Sequence, residues 1–411
     1  MYIERKLEGK ILKYLDKPEI IAVLGPRQCG KTTMLKKIFS GLDNANFISF
    51  EDRGALNLFN RDIVGFIDLY AKNYKFLFID EFQYTKNGGK KLKYIFDTQK
   101  IKIIISGSSA VDLSVNAIKY LVGRIFILNL YPLSFEEFLS YKNRNLAAIY
   151  KKEAADVLSS KTIRISSEMH EEFRKNFEEY AIYGGYPRVV ISDDSEEKKE
   201  VLKNIYGTFF LREVRDVLGL IDDYKLEKLI KGLALQIGNL IEYNELGQLS
   251  EFSYATLKRY LNFLEKTFVC RRLAPYFKNK RTEIVKNPKI YFIDCGMRNQ
   301  IVNDFRPINE RGDHGQILEN AVFGQLVKNG YDFNHWRTKN KNEIDFILKM
   351  EGGKLIALEI KSKAKSFEFN SIKIFKKDYP DSKIIGGYLD APVSPAPGAN
   401  AECALRPAYF F

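Results

Sequence analysis

Gly25-Pro26-Arg27-Gln28-Cys29-Gly30-Lys31-Thr32-Thr33 decides how the first third of this chain is built. The spacing is G-x-x-x-x-G-K-T. The short apolar run Ile20-Ile21-Ala22-Val23-Leu24 precedes it, and Met34, Leu35 and Ile38 follow at helical spacing. Strand, loop, helix is the order that phosphate binding needs. Gly25 and Gly30 allow backbone angles and a close approach that a Cβ would obstruct, so successive N–H groups and a helix N-terminus can surround a phosphate. Lys31 is then placed for the β- and γ-phosphates, and Thr32 offers a hydroxyl to Mg²⁺, which prefers oxygen ligands. Gly25, Pro26, Arg27, Gln28, Cys29, Gly30, Lys31, Thr32 and Thr33 are the expected ATP contacts. Cys29 lies near the helix N-terminus, where a thiolate is favoured, so alkylation is expected to block ATP hydrolysis and ATP to protect.

Working outward, Lys75-Phe76-Leu77-Phe78-Ile79 reads as a buried strand ending in Asp80-Glu81, the Walker B arrangement. Asp80 is expected to hold Mg²⁺ through water, and Glu81 to orient and polarise the attacking water. Lys102 to Ser106 is a further β run, followed by Gly107-Ser108-Ser109. A polar side chain there could position the lytic water, and Ser108 or Ser106 fits that role. Arg124 ends the next helix. It serves either as an arginine finger for a neighbouring subunit's γ-phosphate or as a cation that complements a helix dipole.

The runs GPRQCGKTT, FLFIDEFQ, IIISGSSA, LVGR and YPLSFEEF together resemble the core of an AAA+ ATPase, of the prokaryotic group with a C-terminal domain of unknown function, over residues 15–140. The resemblance implies a parallel sheet with the P-loop strand central and a helical lid behind it. Gly184-Gly185-Tyr186-Pro187 resembles the lid motif, with Arg188 as a possible second sensor beyond it.

The 411 residues exceed one ordinary core, and a composition of 45% hydrophobic and 28% charged residues suits a globular protein. Four separated cysteines and three histidines argue against zinc and disulfide frameworks. With no long apolar run and no apolar leader, the expected location is the cytoplasm, with no membrane partner. The net charge of +13 is uneven: Tyr254 to Arg298 holds eleven Lys/Arg against three Asp/Glu. That concentration favours a polyanionic partner, expected to be DNA.

Ser253 to Leu261 after Glu245-Leu246-Gly247-Gln248-Leu249 resembles a helix-turn-helix, with Leu257, Leu261 and Leu264 on its buried face. Lys278-Asn279-Lys280-Arg281 would tip a β-wing. Lys258, Arg259, Lys278, Lys280 and Arg281 are the expected nucleic-acid contacts, although winged helices also serve as protein-interaction modules. In the last part, Glu319 on a helix, Asp345 on a strand and Glu359-Ile360-Lys361 fourteen residues on resemble a PD-(D/E)XK nuclease core without its proline. The resemblance implies that Asp345 and Glu359 hold Mg²⁺ or Mn²⁺, that Glu319 reaches the ion and that Lys361 activates water. An ordinary amphipathic hairpin is the alternative.

The expected fold is α/β: a P-loop NTPase parallel sheet over 1–140, a helical lid over 141–192, a winged helix-turn-helix over 193–300 and a restriction-endonuclease-like α/β domain over 301–411. The expected function is Mg²⁺-dependent ATP hydrolysis, as a possible homo-oligomer, coupled to DNA binding and metal-dependent cleavage. The alternatives are a non-nucleolytic ATP switch and a DNA-binding regulator with ATP as a structural ligand.

Overall fold

The structure is a computed structural model that describes residues 2–108, 120–154, 158, 165–210, 223–279, 281, 283, 286–367, 369–390 and 403–411. Ser109, Lys280 and the Pro/Ala/Gly-rich stretch 391–401 lie outside the described residues. The chain divides into two compact units, residues 1–132 with 262–268, and residues 133–261 with 269–411.

The first unit holds five parallel strands: β1 (Ile20–Leu24), β2 (Ala45–Ser49), β3 (Phe76–Asp80), β4 (Lys102–Gly107) and β5 (Ile125–Asn129), in the order β2-β3-β4-β1-β5. The P-loop strand β1 is therefore interior but not central, because β4 takes the middle position. Its unbroken apolar run follows from burial on both faces. Ile21 and Val23 pack on one side with Met34, Leu35 and Ile38 of the helix Lys31–Phe39. Ile20, Ala22 and Leu24 pack on the other with Phe59, Phe66, Leu92 and Ile95. Alternation along the strand thus commits each residue to one of two helical layers.

In the second unit, the helices Phe135–Lys142, Arg144–Ala154 and Ser167–Tyr183, which include the residues read as a lid, pack on the chain's last residues. Phe173 stacks on Tyr409 with ring centroids 5.1 Å apart, and Tyr150 stacks on Phe410 at 5.6 Å. The Gly184-Gly185 pair has a local cause. Gly184 has φ +77°, a Cβ there would lie 2.1 Å from the Asp294 carboxylate, and Gly185 N–H donates to that carboxylate at 2.7 Å.

The helices Asp223–Leu235, Tyr243–Ser250 and Tyr254–Lys266 are followed by an antiparallel pair, β6 (Cys270–Leu273) and β7 (Lys289–Phe292). Leu257, Leu261 and Leu264 are buried as the pattern predicts. After the helix His314–Lys328 comes a mixed sheet: β8 (Phe333–Arg337), β9 (Glu343–Lys349), β10 (Leu355–Lys361), β11 (Lys383–Tyr388) and β12 (Cys403–Pro407). Its order is β12-β11-β10-β9-β8, with β8, β9 and β10 antiparallel and β10, β11 and β12 parallel.

Candidate functional site

Around the P-loop, the order of strands brings chemistry to one sheet edge. Leu24 pairs with Gly107 and Asn129, so the loop after β1 opens beside the ends of β4 and β5. Gly25 sits so close to β5 that a Cβ would lie 2.0 Å from the Leu130 carbonyl oxygen. Gly30, at φ 94°, begins the helix Lys31–Phe39 and turns its N-terminus toward the loop. Lys31 is buried, and its Nζ donates to the carbonyls of Gly25 at 2.8 Å and Pro26 at 2.9 Å. Reaching a phosphate would exchange those two contacts for phosphate oxygens.

Asp80, at the end of β3, is buried and gathers two hydroxyls. Thr32 Oγ1 donates to its Oδ2 at 2.7 Å, and Ser106 Oγ donates to its Oδ1. The two expected Mg²⁺ ligands, Thr32 and Asp80, thus present oxygen donors to one another, a set that suits a hard divalent ion. Of the two serines considered, Ser106 is the one whose hydroxyl meets Asp80. Ser108 enters through its backbone N–H, which donates to Gln83 Oε1 at 3.3 Å, and Gln83 Nε2 donates to Glu81. Glu81 has φ 55°, a left-handed conformation uncommon for a side chain of this kind and held here by the turn Phe82–Tyr84.

Sequence reasoning missed two residues of this site. Gln83 links Glu81 to the end of β4. Arg5 is buried before the first helix and donates to the carbonyls of Cys29 at 2.7 Å and Tyr131 at 2.6 Å, clamping the P-loop to the segment after β5. Arg5 belongs to no motif, and Gln83, although it ends the run FLFIDEFQ, acts through a contact that spacing does not reveal. Cys29 corrects an expectation: its thiol is fully buried and directed at the Leu130 carbonyl at 3.4 Å, out of reach of an alkylating reagent in the folded chain. Arg124 lies beside Ile20, at the far end of β1 from the P-loop, and pairs with Asp97 at 3.2 Å. It therefore does not serve its own chain's P-loop.

In the second unit, Lys258 and Arg259 are exposed on the helix Tyr254–Lys266, and Arg281 is exposed. Lys278 Nζ lies 5.1 Å over the Tyr379 ring, in a cleft of about 310 Å³ that Asn279, Arg337 and Thr338 also line. Two of the eleven basic residues counted over Tyr254 to Arg298 are not surface charge at all. Arg298 is buried and pairs with Asp313 at 2.7 Å, and Lys289 is buried among carboxylates.

The C-terminal acids do converge. The β9–β10 ladder runs from Lys349↔Leu355 to Phe346↔Leu358, and there the Asp345 carboxylate takes over by accepting the Ile360 N–H at 2.8 Å. Lys361 Nζ pairs with Glu359 at 2.6 Å. From the helix His314–Lys328, Glu319 accepts from Lys289 at 3.0 Å and from the Tyr291 hydroxyl. Burial, then the nearby Asp345 carboxylate, pushes Glu319 up to about 7 and Glu359 up to about 8, and burial raises Asp345 as well. Against burial, Glu359 and Asp345 hold Lys361 above its ordinary value, as Glu319 does Lys289. The two expected ion ligands each have a lysine beside them, Lys361 at 2.6 Å from Glu359 and Lys289 at 3.9 Å from Asp345. Among the described residues, no group of three or more His, Cys, Asp or Glu side chains is arranged to hold a metal ion.

Residues 17–139, which contain the whole P-loop sheet, match the family model of an AAA domain. By that match the first unit carries an AAA domain. Residues 174–307 and 314–392 match models of two domains of unknown function. An uncharacterized protein of Methanocaldococcus jannaschii is 29% identical over 398 residues, covering 93% of this chain and 82% of its own length. One of Haemophilus influenzae is 25% identical over 405 residues, covering 93% and 92%. Among solved structures, a Walker-type ATPase of Pyrococcus abyssi aligns at TM-score 0.45 and 16% identity, over 73% of this chain and 96% of its own. No described helix is long and apolar enough to cross a membrane.

Proposed function

We propose that this P-loop ATPase domain hydrolyses ATP with Mg²⁺ and that its nucleotide state controls a DNA-binding second unit. The observation that carries the reading is the convergence of Thr32, Asp80, Ser106 and Glu81 at the ends of β3 and β4. Mg²⁺, when bound, neutralises charge on the phosphates. Thr32 and Asp80 would hold that ion, with Ser106 fixing the Asp80 carboxylate. Lys31 leaves its two carbonyls to hold phosphate oxygens. Glu81, oriented by Gln83, aligns water for in-line attack and accepts its proton.

Residues 193–300 are read as a winged helix, on the order of three helices then the β6–β7 pair, and Lys258, Arg259, Lys278, Lys280 and Arg281 are assigned to DNA phosphates. Residues 301–411 are read as a restriction-endonuclease-like fold, on the convergence of Asp345, Glu359 and Lys361. A homo-oligomer would give Arg124 a γ-phosphate on a neighbouring subunit.

The test separates binding from turnover. Lys31→Ala loses both ATP affinity and hydrolysis, whereas Glu81→Gln keeps ATP bound and loses hydrolysis by about 100-fold or more. A Glu81→Gln protein with the wild-type turnover number removes Glu81 from the mechanism.

A further inference from the structure

Lys289 is placed for a task that no surface lysine performs. Its side chain is 1% exposed, and its Nζ lies 3.0 Å from Glu319 and 3.9 Å from Asp345 and pairs with Glu343 as well. Those acids come from two elements, the helix His314–Lys328 and β9, and the lysine comes from a third, β7.

The strand that delivers it is fixed on both edges. On one, the Asn320 side chain accepts from Phe292 N–H at 2.8 Å and donates to Phe292 C=O at 3.0 Å, so the residue next to Glu319 grips β7 as a strand partner would. Further along the same edge, Gly238 N–H donates to Ile290 C=O at 2.9 Å and Ile290 N–H donates to Asn239 C=O at 3.2 Å, while β6 pairs along the other edge. Tyr291, whose ring stacks on Phe323 at 4.4 Å, donates its hydroxyl to the same Glu319 oxygen that Lys289 holds. An exposed lysine would turn its ammonium to water, but here backbone, ring and amide contacts all point it inward. An ammonium is a compact point charge with three donors; here Glu319 and Glu343 lie within hydrogen-bond reach, and Asp345 at 3.9 Å is attracted by charge alone.

We propose that Lys289 is the resident cation of the C-terminal carboxylate cluster, standing where a divalent ion would have to stand between Glu319 and Asp345. The consequences are that this domain takes up no catalytic Mg²⁺ or Mn²⁺, that it does not cut nucleic acid, and that the cluster instead ties β7 to the α/β sheet. A divalent ion bound by oxygens at about 2.0–2.2 Å would sit within a few ångströms of the ammonium and be repelled by it. Lys361 does not carry the same argument, since the carboxylate it pairs with is Glu359, at 2.6 Å.

Manganese binding to the full chain, followed by the EPR signal of free Mn²⁺ in an Asp80→Asn background without nucleotide, tests this apart from the ATPase reading. With Lys289 present, Asp345→Asn should leave the number of bound ions unchanged. Lys289→Met should gain one Mn²⁺ per chain, lost again when Asp345→Asn is added, and Lys289→Gln provides the same comparison if the Met variant does not fold. An Asp345-dependent ion in the chain that retains Lys289, or DNA cleavage abolished by Asp345→Asn, overturns the proposal. So does failure of a folded Lys289 variant to gain the ion. ATP turnover, measured separately in a chain with Asp80 intact, reports on the first unit alone.

Discussion

Arg5 shows how much of the P-loop's geometry rests on a side chain outside the motif. Its two guanidinium nitrogens reach carbonyls on either side of β1's C-terminal end, Cys29 and Tyr131, and a planar fork can do this where a single ammonium cannot. Arg5→Ala leaves both carbonyls short of a charged donor, each such bond contributing about 1.5–3 kcal/mol. The expected outcome is a loss of about 3 kcal/mol in the first unit's unfolding free energy, together with a raised KM for ATP. Arg5→Lys should recover less than half of either. Urea unfolding and steady-state ATPase assays measure the two effects, and an Arg5→Lys protein with wild-type values for both would show that the fork is dispensable. The P-loop residues were legible because their chemistry is fixed by local spacing. Arg5 and Gln83 were not, because each acts through a contact that only the folded chain creates.

At the scale of the strands, β8, β9 and β10 enclose titratable groups with opposite pH signs. His335 on β8 is buried, with no hydrogen-bond partner on either ring nitrogen among the described residues, and burial, then the charges of Lys289 and Arg337, pushes it down to about 3. The unfolded chain binds its proton first, so its contribution to stability is complete above about 6.5 and falls as pH drops toward 3. Glu359 on β10 behaves the other way. With a folded value of about 8, it binds its proton more tightly in the native state, so stability present below its unfolded value of about 4.5 is lost as pH rises toward 8. The two oppose one another between about 4.5 and 6.5. Above that window the carboxyls act alone, and the urea midpoint of the second unit should decline from pH 6.5 to 8. Glu359→Gln should flatten that decline and His335→Phe should leave it unchanged; an equal slope in all three proteins would count against the assignment.

The same strands show why the sequence was only partly legible here. Glu343 to Leu348 and Leu355 to Ser362 declare themselves by apolar alternation. Lys383–Tyr388 contains Gly386-Gly387 and was not read as a strand, yet it pairs with both β10 and β12. Lys289 counts with the basic stretch from Tyr254 to Arg298 because its acidic partners lie 30 and more residues further along the chain.

Across the whole molecule, charge has to be divided between inside and outside before it is used to argue for DNA. Lys289 and Arg298 are internal counter-charges, whereas of the expected DNA contacts Lys258, Arg259 and Arg281 are exposed and Lys278 lies in its aromatic cleft. Only charges that displace counterions from DNA steepen the salt dependence of binding, by roughly 0.9 in log–log slope per phosphate contact on duplex DNA. Neutralising Lys258, Arg259, Lys278 and Arg281 together should therefore weaken binding to every sequence alike and lower the slope by roughly three to four. Fluorescence anisotropy titrations from low to high salt measure it, and an unchanged slope moves this face to protein recognition.

All four cysteines, Cys29, Cys270, Cys295 and Cys403, are free and buried. The native chain consequently presents no thiol to a maleimide dye, and no background substitution is needed before one is introduced. Leu69→Cys on the first unit and Leu249→Cys on the second, both at exposed positions, would then be the only fast-labelling sites. A donor and acceptor attached there would let single-molecule energy transfer follow the two units through an ATP cycle.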